Sequence, residues 1–418
     1  MKNSFKKIIA FVLCAGLALS SAACMTFNTQ GEIESSKKQS SSRRPSKHSS
    51  KDDEDDSSVE EAQTDYSEYV DFVVNVDPNR NARVLQLTDP QIIDNSQAEP
   101  GAVSSLYSPD KKEEFCYRYI RQVVERYDPD LILLTGDIVY GKFDHNGSAL
   151  TEFIDFMEGF ETPWAPVFGN HDNESKMGVD WQCEQFENAE YCLFEQRELT
   201  GNGNYTVGIV QGDKLQRVFF MMDSNGCGEM SVESFENGHS ASSVGFGVDQ
   251  INWFVEQAEL IKAESPKTKI SFAFHIQLDA FRYAYNVYSN YNNFYPFNLE
   301  ENEDALSNGD FGYMGRAMKS AWDANGSVWN QILETGADSI FVGHEHCNSA
   351  SIVVDGVRLQ YGQKSSQYDR YNKWVDGAIV GNYDHVGDPI MGGTKITLSK
   401  TNGAIMGDTG LILWEPEQ

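Results

Sequence analysis

Residues 83–91 read RVLQLTDPQ, residues 131–137 read LILLTGD, and residues 165–172 read APVFGNHD. In each, a short apolar run rich in strand-forming residues ends at a carboxylate, an amide or an imidazole. The same happens downstream, in ISFAFH over 270–275 and in SIFVGHEH over 339–346. Between these runs the text turns helical. Phe115, Tyr119, Val123 and Tyr127 keep one face of a helix over Lys112–Tyr127, and further helices are expected around Leu150–Phe160, Val248–Ile261 and Val328–Glu334. Strands are also expected over Asp71–Val76, Tyr205–Val210 and Arg217–Met222, with short strands toward the C-terminus. Apolar strands alternating with helices predict an α/β fold whose sheets are covered by helices. No internal repeat and no second-domain boundary is visible.

Open α/β sheets hold their ligands at the carboxyl ends of strands. Five polar clusters stand there: Asp89-Pro90-Gln91, Gly136-Asp137, Gly169-Asn170-His171-Asp172, His275, and Gly343-His344-Glu345-His346. Imidazole, carboxylate and amide oxygen suit borderline divalent metals. Each cluster alone is weak, since an Asp after a strand is commonly a turn or cap residue and GHEH could be an incidental loop. Five in this order predict one shared metal centre. Of eight histidines, His171, His275, His344 and His346 sit at strand exits. The other four, His48, His145, His239 and His385, fall in polar loops and read as solvated, with His145 the one to keep in view.

With these residues the chain resembles the calcineurin-like metallophosphoesterase superfamily, whose D-x-H, G-D, G-N-H-[DE], H and G-H-x-H series appears as DPQ, GD, GNHD, FHI and GHEH over 89–346. The surroundings FHIQL and VGHEHCNS are most similar to a purple-acid-phosphatase-like branch. The resemblance implies a two-sheet β-sandwich flanked by helices, a four-layer αββα fold, around two metal ions drawn from Mn, Fe or Zn. It assigns Asp89 and His346 to the first metal, Asp137 to both, and Asn170, His275 and His344 to the second. His171 matches the non-ligand histidine beside the leaving group. In such a centre two cations about 3.5–4 Å apart activate a bridging water and orient in-line attack on phosphorus. His171 would protonate or stabilise the departing alkoxide.

The chain departs from the pattern at Gln91, where the superfamily has histidine. Tyr140, in Gly136-Asp137-Ile138-Val139-Tyr140, matches the tyrosinate that purple acid phosphatases place on iron(III), and the resemblance suggests that it supplies the missing ligand. The other reading has Tyr140 packing in the cleft and Gln91 ligating directly or through water.

The N-terminus carries no part of this site. Met1–Cys24 has a basic start (Lys2, Lys6, Lys7), an apolar run from Ile8 to Leu19 and the small residues Ser20–Ala23 before Cys24. That is a secretory signal, too short for a stable membrane span. Cys24 resembles a lipobox cysteine, although Ser21 stands where Leu is usual and Ser21-x-Ala23 also suits an ordinary signal peptidase. Residues 25–65 are a polar linker with too little apolar surface to order itself, leaving 66–418 as the enzyme-like domain. The expected location is extracellular, anchored to the outer face of a bacterial cytoplasmic membrane through lipidated Cys24.

Charge narrows the partners. The chain has 33 basic and 63 acidic side chains, a net charge of −30, with 24 basic and 53 acidic residues from Tyr66 onward. Such a surface repels a nucleic-acid backbone, which ordinarily needs a Lys/Arg footprint. The expected substrate is a small-molecule or surface-polymer phosphoester, mono- or diester, with contact to a membrane only through the lipid anchor. Two other readings stand beside it: a nucleotide phosphatase or nuclease using the same centre, and a surface binding protein whose metal site has decayed.

Three features stay open. No CxxC spacing occurs; Cys183 and Cys192 are close enough to bridge a short loop, or are buried free thiols. Phe281–Phe297, rich in Tyr and Asn, reads as a lid or stacking platform, or as a loop packed over the domain edge. Gly362–Tyr371 follows the last metal motif and carries Lys364 and Arg370, unusual cations in so acidic a chain.

Overall fold

Three of the motif-bearing strands lie side by side and parallel. In the computed structural model β2 (Ala82–Leu87) pairs with β3 (Leu131–Thr135), and β3 pairs with β4 (Trp164–Val167). Antiparallel β16 (Gly392–Leu398) and β17 (Gly410–Leu413) complete a five-stranded sheet ordered β17-β16-β2-β3-β4. The described residues are 65–97, 112–225, 245–289, 297–315, 327–366, 371–375, 378–382, 388–407 and 410–413. They fall within one unit, Ala62–Gln418. The signal segment with Cys24, the linker up to residue 64, His48, His239, His385, Cys227 and Arg370 lie outside them.

The second sheet has nine strands. In spatial order these are β1 (Phe72–Val76), β5 (Tyr205–Gln211), β6 (Lys214–Met221), β7 (Lys269–Ala273), β10 (Ser339–Val342), β12 (Val357–Tyr361), β11 (Asn348–Val354), β9 (Phe311–Met314) and β8 (Phe297–Asn298). Here β6, β7, β10 and β12 are mutually parallel. A small third sheet pairs β14 (Ala378–Asn382), β13 (Tyr371–Val375) and β15 (Asp388–Ile390).

The apolar runs are continuous because the central strands are buried on both faces. Along β6, Phe219 and Met221 share one core with Val84, Leu87, Ile132 and Phe341, so both sheets contribute to it. Val218 and Phe220 turn the other way, into a second core with Ile270, Phe272, Phe254 and Ile261. Helix α1 (Lys112–Tyr127) lies across β2 and β16 and buries Cys116, Ile120, Val123 and Val124. Helices α2 (Ser148–Glu158) and α3 (Val179–Asn188) pack on each other. On the nine-stranded sheet's outer side α4 (Val248–Glu264) packs beside α7 (Ser327–Glu334). This is the expected two-sheet sandwich flanked by helices.

Burial decides one open reading and the described part of another. Phe281–Phe297 begins as helix α5 (Asp279–Ser289), whose Phe281, Ala284 and Tyr285 enter the second core while Tyr283 and Val287 face solvent. Residues 290–296 are outside the described set. Cys183 and Cys192 are buried free thiols, as are Cys116 and Cys347. Short α6 (Glu303–Asn308), capped by the Asn302 side chain, was not foreseen, nor was α3, although Val179, Cys183 and Phe186 have helical spacing.

Candidate metal centre

Parallel pairing sends β2, β3 and β4 to the same edge, and β7 and β10 do likewise in the facing sheet. The sheets are tied near that edge by Gln86, whose Nε2 donates to Thr135 Oγ1 and to the Val342 carbonyl, both at 3.0 Å. All five clusters therefore meet. The backbone turns hard to present them: Asp89, Gln91, Asp137 and His344 have φ of 52°, 46°, 52° and 72°. Non-glycine residues visit this left-handed region at a cost, and such strain concentrates at functional sites. Gly169 and Gly343 are demanded by proximity instead. A Cβ at Gly169 would strike the Asp137 backbone nitrogen, and one at Gly343 would strike Thr88 Oγ1 and Asp89 Oδ2.

The ligand atoms form two overlapping groups, each with its atoms within 4.8 Å of one another: Asp137, His275 and His344, and Asp89, Asp137 and His346. Asp137 is common to both. Its Oδ2 stands 3.2 Å from His275 Nε2, and Asp89 Oδ1 stands 3.2 Å from His346 Nε2. Asn170 joins the first group through Oδ1, 2.9 Å from His344 Nδ1. Among the described residues, Asp89 Oδ1 and His275 Nε2 are buried and find no well-aligned hydrogen-bond partner beyond these 3.2 Å contacts. Buried polar atoms are rarely left so, and two aimed among carboxylates and imidazoles fit a bound cation.

Neighbours fix these groups in ligating form. His275 Nδ1 is 2.8 Å from the Thr135 carbonyl, which assigns that nitrogen the proton and turns Nε2 to the site. Thr88 Oγ1 and the His344 amide donate to Asp89 Oδ2, and the His171 amide donates to Asp137 Oδ1. Asp172 Oδ1 and Oδ2 accept from the Val139 and Gly169 amides, so this carboxylate holds the two motif loops together.

The electrostatics suit a cation. Burial opposes ionisation of Asp89, but His346 and His275 beside it outweigh that and hold its carboxyl at about 2. Asp137 behaves in the same sense, burial being overcome by His275 and His171. Burial and the charge of His275 push His344 down to about 3, keeping it neutral as a metal ligand must be. His275 goes up to about 9 despite burial, drawn by Asp137. This is the pull of a negative pocket on any available positive charge.

Gln91 is fully buried, its Nε2 3.1 Å from Asp137 Oδ2 and 3.0 Å from His346 Nε2. Tyr140 lies flat on His171, ring centroids 4.1 Å apart, and also stacks on Phe143. His171 Nδ1 is 3.0 Å from Glu174 Oε2. His145 is half-buried rather than solvated, and its backbone amide donates to Gln97 Oε1.

The family model described as calcineurin-like phosphoesterase matches residues 82–348. The chain belongs to that family. Membership of this family implies a dinuclear metal centre, for which Asp89, Asp137, His275, His344 and His346 are the candidate ligands. Curated relatives include Probable inactive purple acid phosphatase 14 of Arabidopsis thaliana, 22% identical over 67% of this chain and 69% of that protein. Phosphatase DCR2 of Saccharomyces cerevisiae is 23% identical over 55% of this chain and 38% of its own length. Among solved structures, a dimetal phosphatase from Danio rerio aligns with 77% of this chain and 100% of its own, at 11% identity and a TM-score of 0.42. Purple acid phosphatase PPD1 from yellow lupin seeds aligns with 79% and 54%, at 13% identity and 0.36.

Four residues of the site were not assigned roles from sequence. Thr88 and Glu174 act on a neighbour's side chain, Asp172 on backbone, and only three-dimensional pairing shows it. Lys364, noticed as an odd cation, is 1% exposed, and its Nζ donates to the Asp89 carbonyl at 2.8 Å. A lysine in a polar loop following a strand could have signalled this only with the register in hand.

Proposed function

We propose that this calcineurin-like phosphoesterase is an exported metal-dependent phosphoester hydrolase acting on a small-molecule or surface-polymer mono- or diester. One observation carries the reading: five separated strand ends deliver Asp89, Asp137, Asn170, His275, His344 and His346 into one pocket, in two groups sharing Asp137. Bound there, two metal ions would supply Lewis acidity and an activated water at neutral pH. Asp137 would hold both, His275 and His344 would fix one beside Asn170, and Asp89 and His346 the other. His171 stands on the same rim, its Nδ1 turned to Glu174, so Nε2 is the nitrogen able to hold a proton for the leaving oxygen. No side-chain nucleophile is required. The export signal, the lipidated Cys24 and the linker would set this domain at the outer face of the membrane.

The test is hydrolysis of aryl phosphate mono- and diesters by the whole chain, after metal removal and on return of manganese, iron or zinc. Restored turnover is expected, reduced at least a thousandfold in Asp137→Asn. A folded protein that neither takes up metal nor turns over either ester would favour the second reading, a binding protein whose metal site has decayed. Gln91 in the motif-one position favours that reading, as does the word "inactive" in the name of the Arabidopsis relative.

A further inference from the structure

Lys364 is buried and holds its ammonium group within hydrogen-bonding reach of the ligand loop. Its backbone is pinned: Lys364 forms a parallel bridge with Thr88, the Ser365 amide donates to the Thr88 carbonyl at 3.0 Å, and the Gly392 amide donates to the Lys364 carbonyl at 3.1 Å. From that fixed point Nζ reaches the Asp89 carbonyl at 2.8 Å and Gln91 Oε1 at 3.4 Å. An ammonium has three donors and no acceptor, so the carboxamide atom facing it must be the oxygen. This settles an orientation that is otherwise a matter of network assignment. The amide NH2 is thereby turned to Asp137 Oδ2 and His346 Nε2, two atoms of the Asp89–Asp137–His346 group.

We propose that Lys364, acting through Gln91, makes the two metal positions unequal: the Asp137–Asn170–His275–His344 position binds a cation tightly, and the Asp89–Asp137–His346 position binds one weakly. This rests on the metalloenzyme reading above. Two arguments converge on it. The amide presents donor hydrogens where a ligand lone pair is needed, so a cation at that position must displace two hydrogen bonds and gains no ligand from Gln91. The ammonium also offsets part of the negative charge of Asp89 and Asp137, so one divalent ion and Lys364 leave little attraction for a second. The superfamily's histidine at position 91 would accept no such bond from a lysine in its metal-ligating form, since its free nitrogen lone pair would face the cation. Gln91 and Lys364 thus act as a pair. Lys364 is a positioning residue, not a metal ligand.

Manganese binding to the whole chain tests this by stoichiometry after desalting, by calorimetry, and by electron paramagnetic resonance at one and two equivalents. One equivalent should survive desalting, and the second should bind at least tenfold more weakly, with an uncoupled manganese spectrum at one equivalent. His344→Ala should lose the retained equivalent and His346→Ala should keep it. Lys364→Met, and separately Gln91→His with Lys364→Met, should tighten the second equivalent about tenfold, whereas Lys364→Arg should leave it weak. Misfolding of Lys364→Met would show by circular dichroism, and the two binding steps of the native chain test the proposal without that variant. Two equally tight equivalents in the native chain would overturn the proposal and leave the metalloenzyme reading intact. So would an iron(III) form whose visible charge-transfer band is lost in Tyr140→Phe, because a tyrosinate would then complete the Asp89–Asp137–His346 position. No binding of manganese, iron or zinc by any form would overturn both.

Discussion

Single residues decide how His171 is held. Its ring is held by Tyr140 on one face and by Glu174 at Nδ1, so both its plane and its protonated nitrogen are set. Hydrogen bonds of this kind orient a functional imidazole, and their loss typically costs 10–100-fold. Glu174→Gln should keep the volume but loosen the tautomer, lowering kcat about tenfold with KM changed less than twofold. The loss should be largest for poor leaving groups, which need the proton, and nearly absent for p-nitrophenolate. A uniform loss across leaving groups would place Glu174 in a structural role. The side chains that gather at the candidate metal centre were legible in the sequence because each follows closely on its strand. Glu174 and Lys364 were not, because their work is defined by partners 3 and 273 residues away in the chain, His171 and Gln91.

At the scale of the element, the end of β6 was overlooked. The text Phe-Phe-Met-Met-Asp-Ser-Asn over 219–225 has the same apolar-to-acidic break as the motif strands. Asp223 there is buried and accepts from the Asn225 and Asn202 amides, and Ser224 Oγ accepts from the Ile276 amide just beyond His275. This loop buttresses the His275 turn without offering a ligand. Burial raises the Asp223 carboxyl to about 6. The folded protein therefore holds a proton there that the unfolded chain has released, so this group's contribution to stability falls as pH rises from about 4 to about 6 and is flat above. The span corresponds to roughly 2–3 kcal/mol at 1.36 kcal/mol per unit. Denaturant unfolding of Asp223→Asn should show a profile flatter by about that amount over the window. An unchanged difference from the native chain at pH 4 and pH 6 would mean that Asp223 is solvated in solution. Strand positions were read to within one to three residues, whereas α3 and α5 were missed or left open because their apolar spacing is interrupted by polar residues that become buried or sit at the rim.

Across the whole molecule the deciding quantity is charge. The chain's net charge of −30 opposes the approach of the anionic substrate proposed above. Repulsion of this kind is long-ranged and screened by salt, the Debye length falling from about 30 Å at 0.01 M to about 8 Å at 0.15 M. For a dianionic aryl phosphate, kcat/KM should rise roughly threefold over that range, and less for a monoanionic diester. An opposite trend would reveal a locally positive entrance. The α/β class was legible from the alternation of elements, and the two-sheet sandwich followed from the resemblance of the motifs to the calcineurin-like family. How the sheets dock was not, since the Gln86 bridge to Val342 joins residues 256 apart.

That bridge has a kinetic meaning. The ligand atoms come from both sheets, so the pocket exists only after the two layers have docked and the longest chain closures have been made. A cation that needs every one of these contacts has little to grip before the folding barrier is crossed. Added metal should therefore leave the refolding rate where it was and slow the unfolding rate, so that bound metal lengthens the lifetime of the folded chain rather than helping the chain to fold.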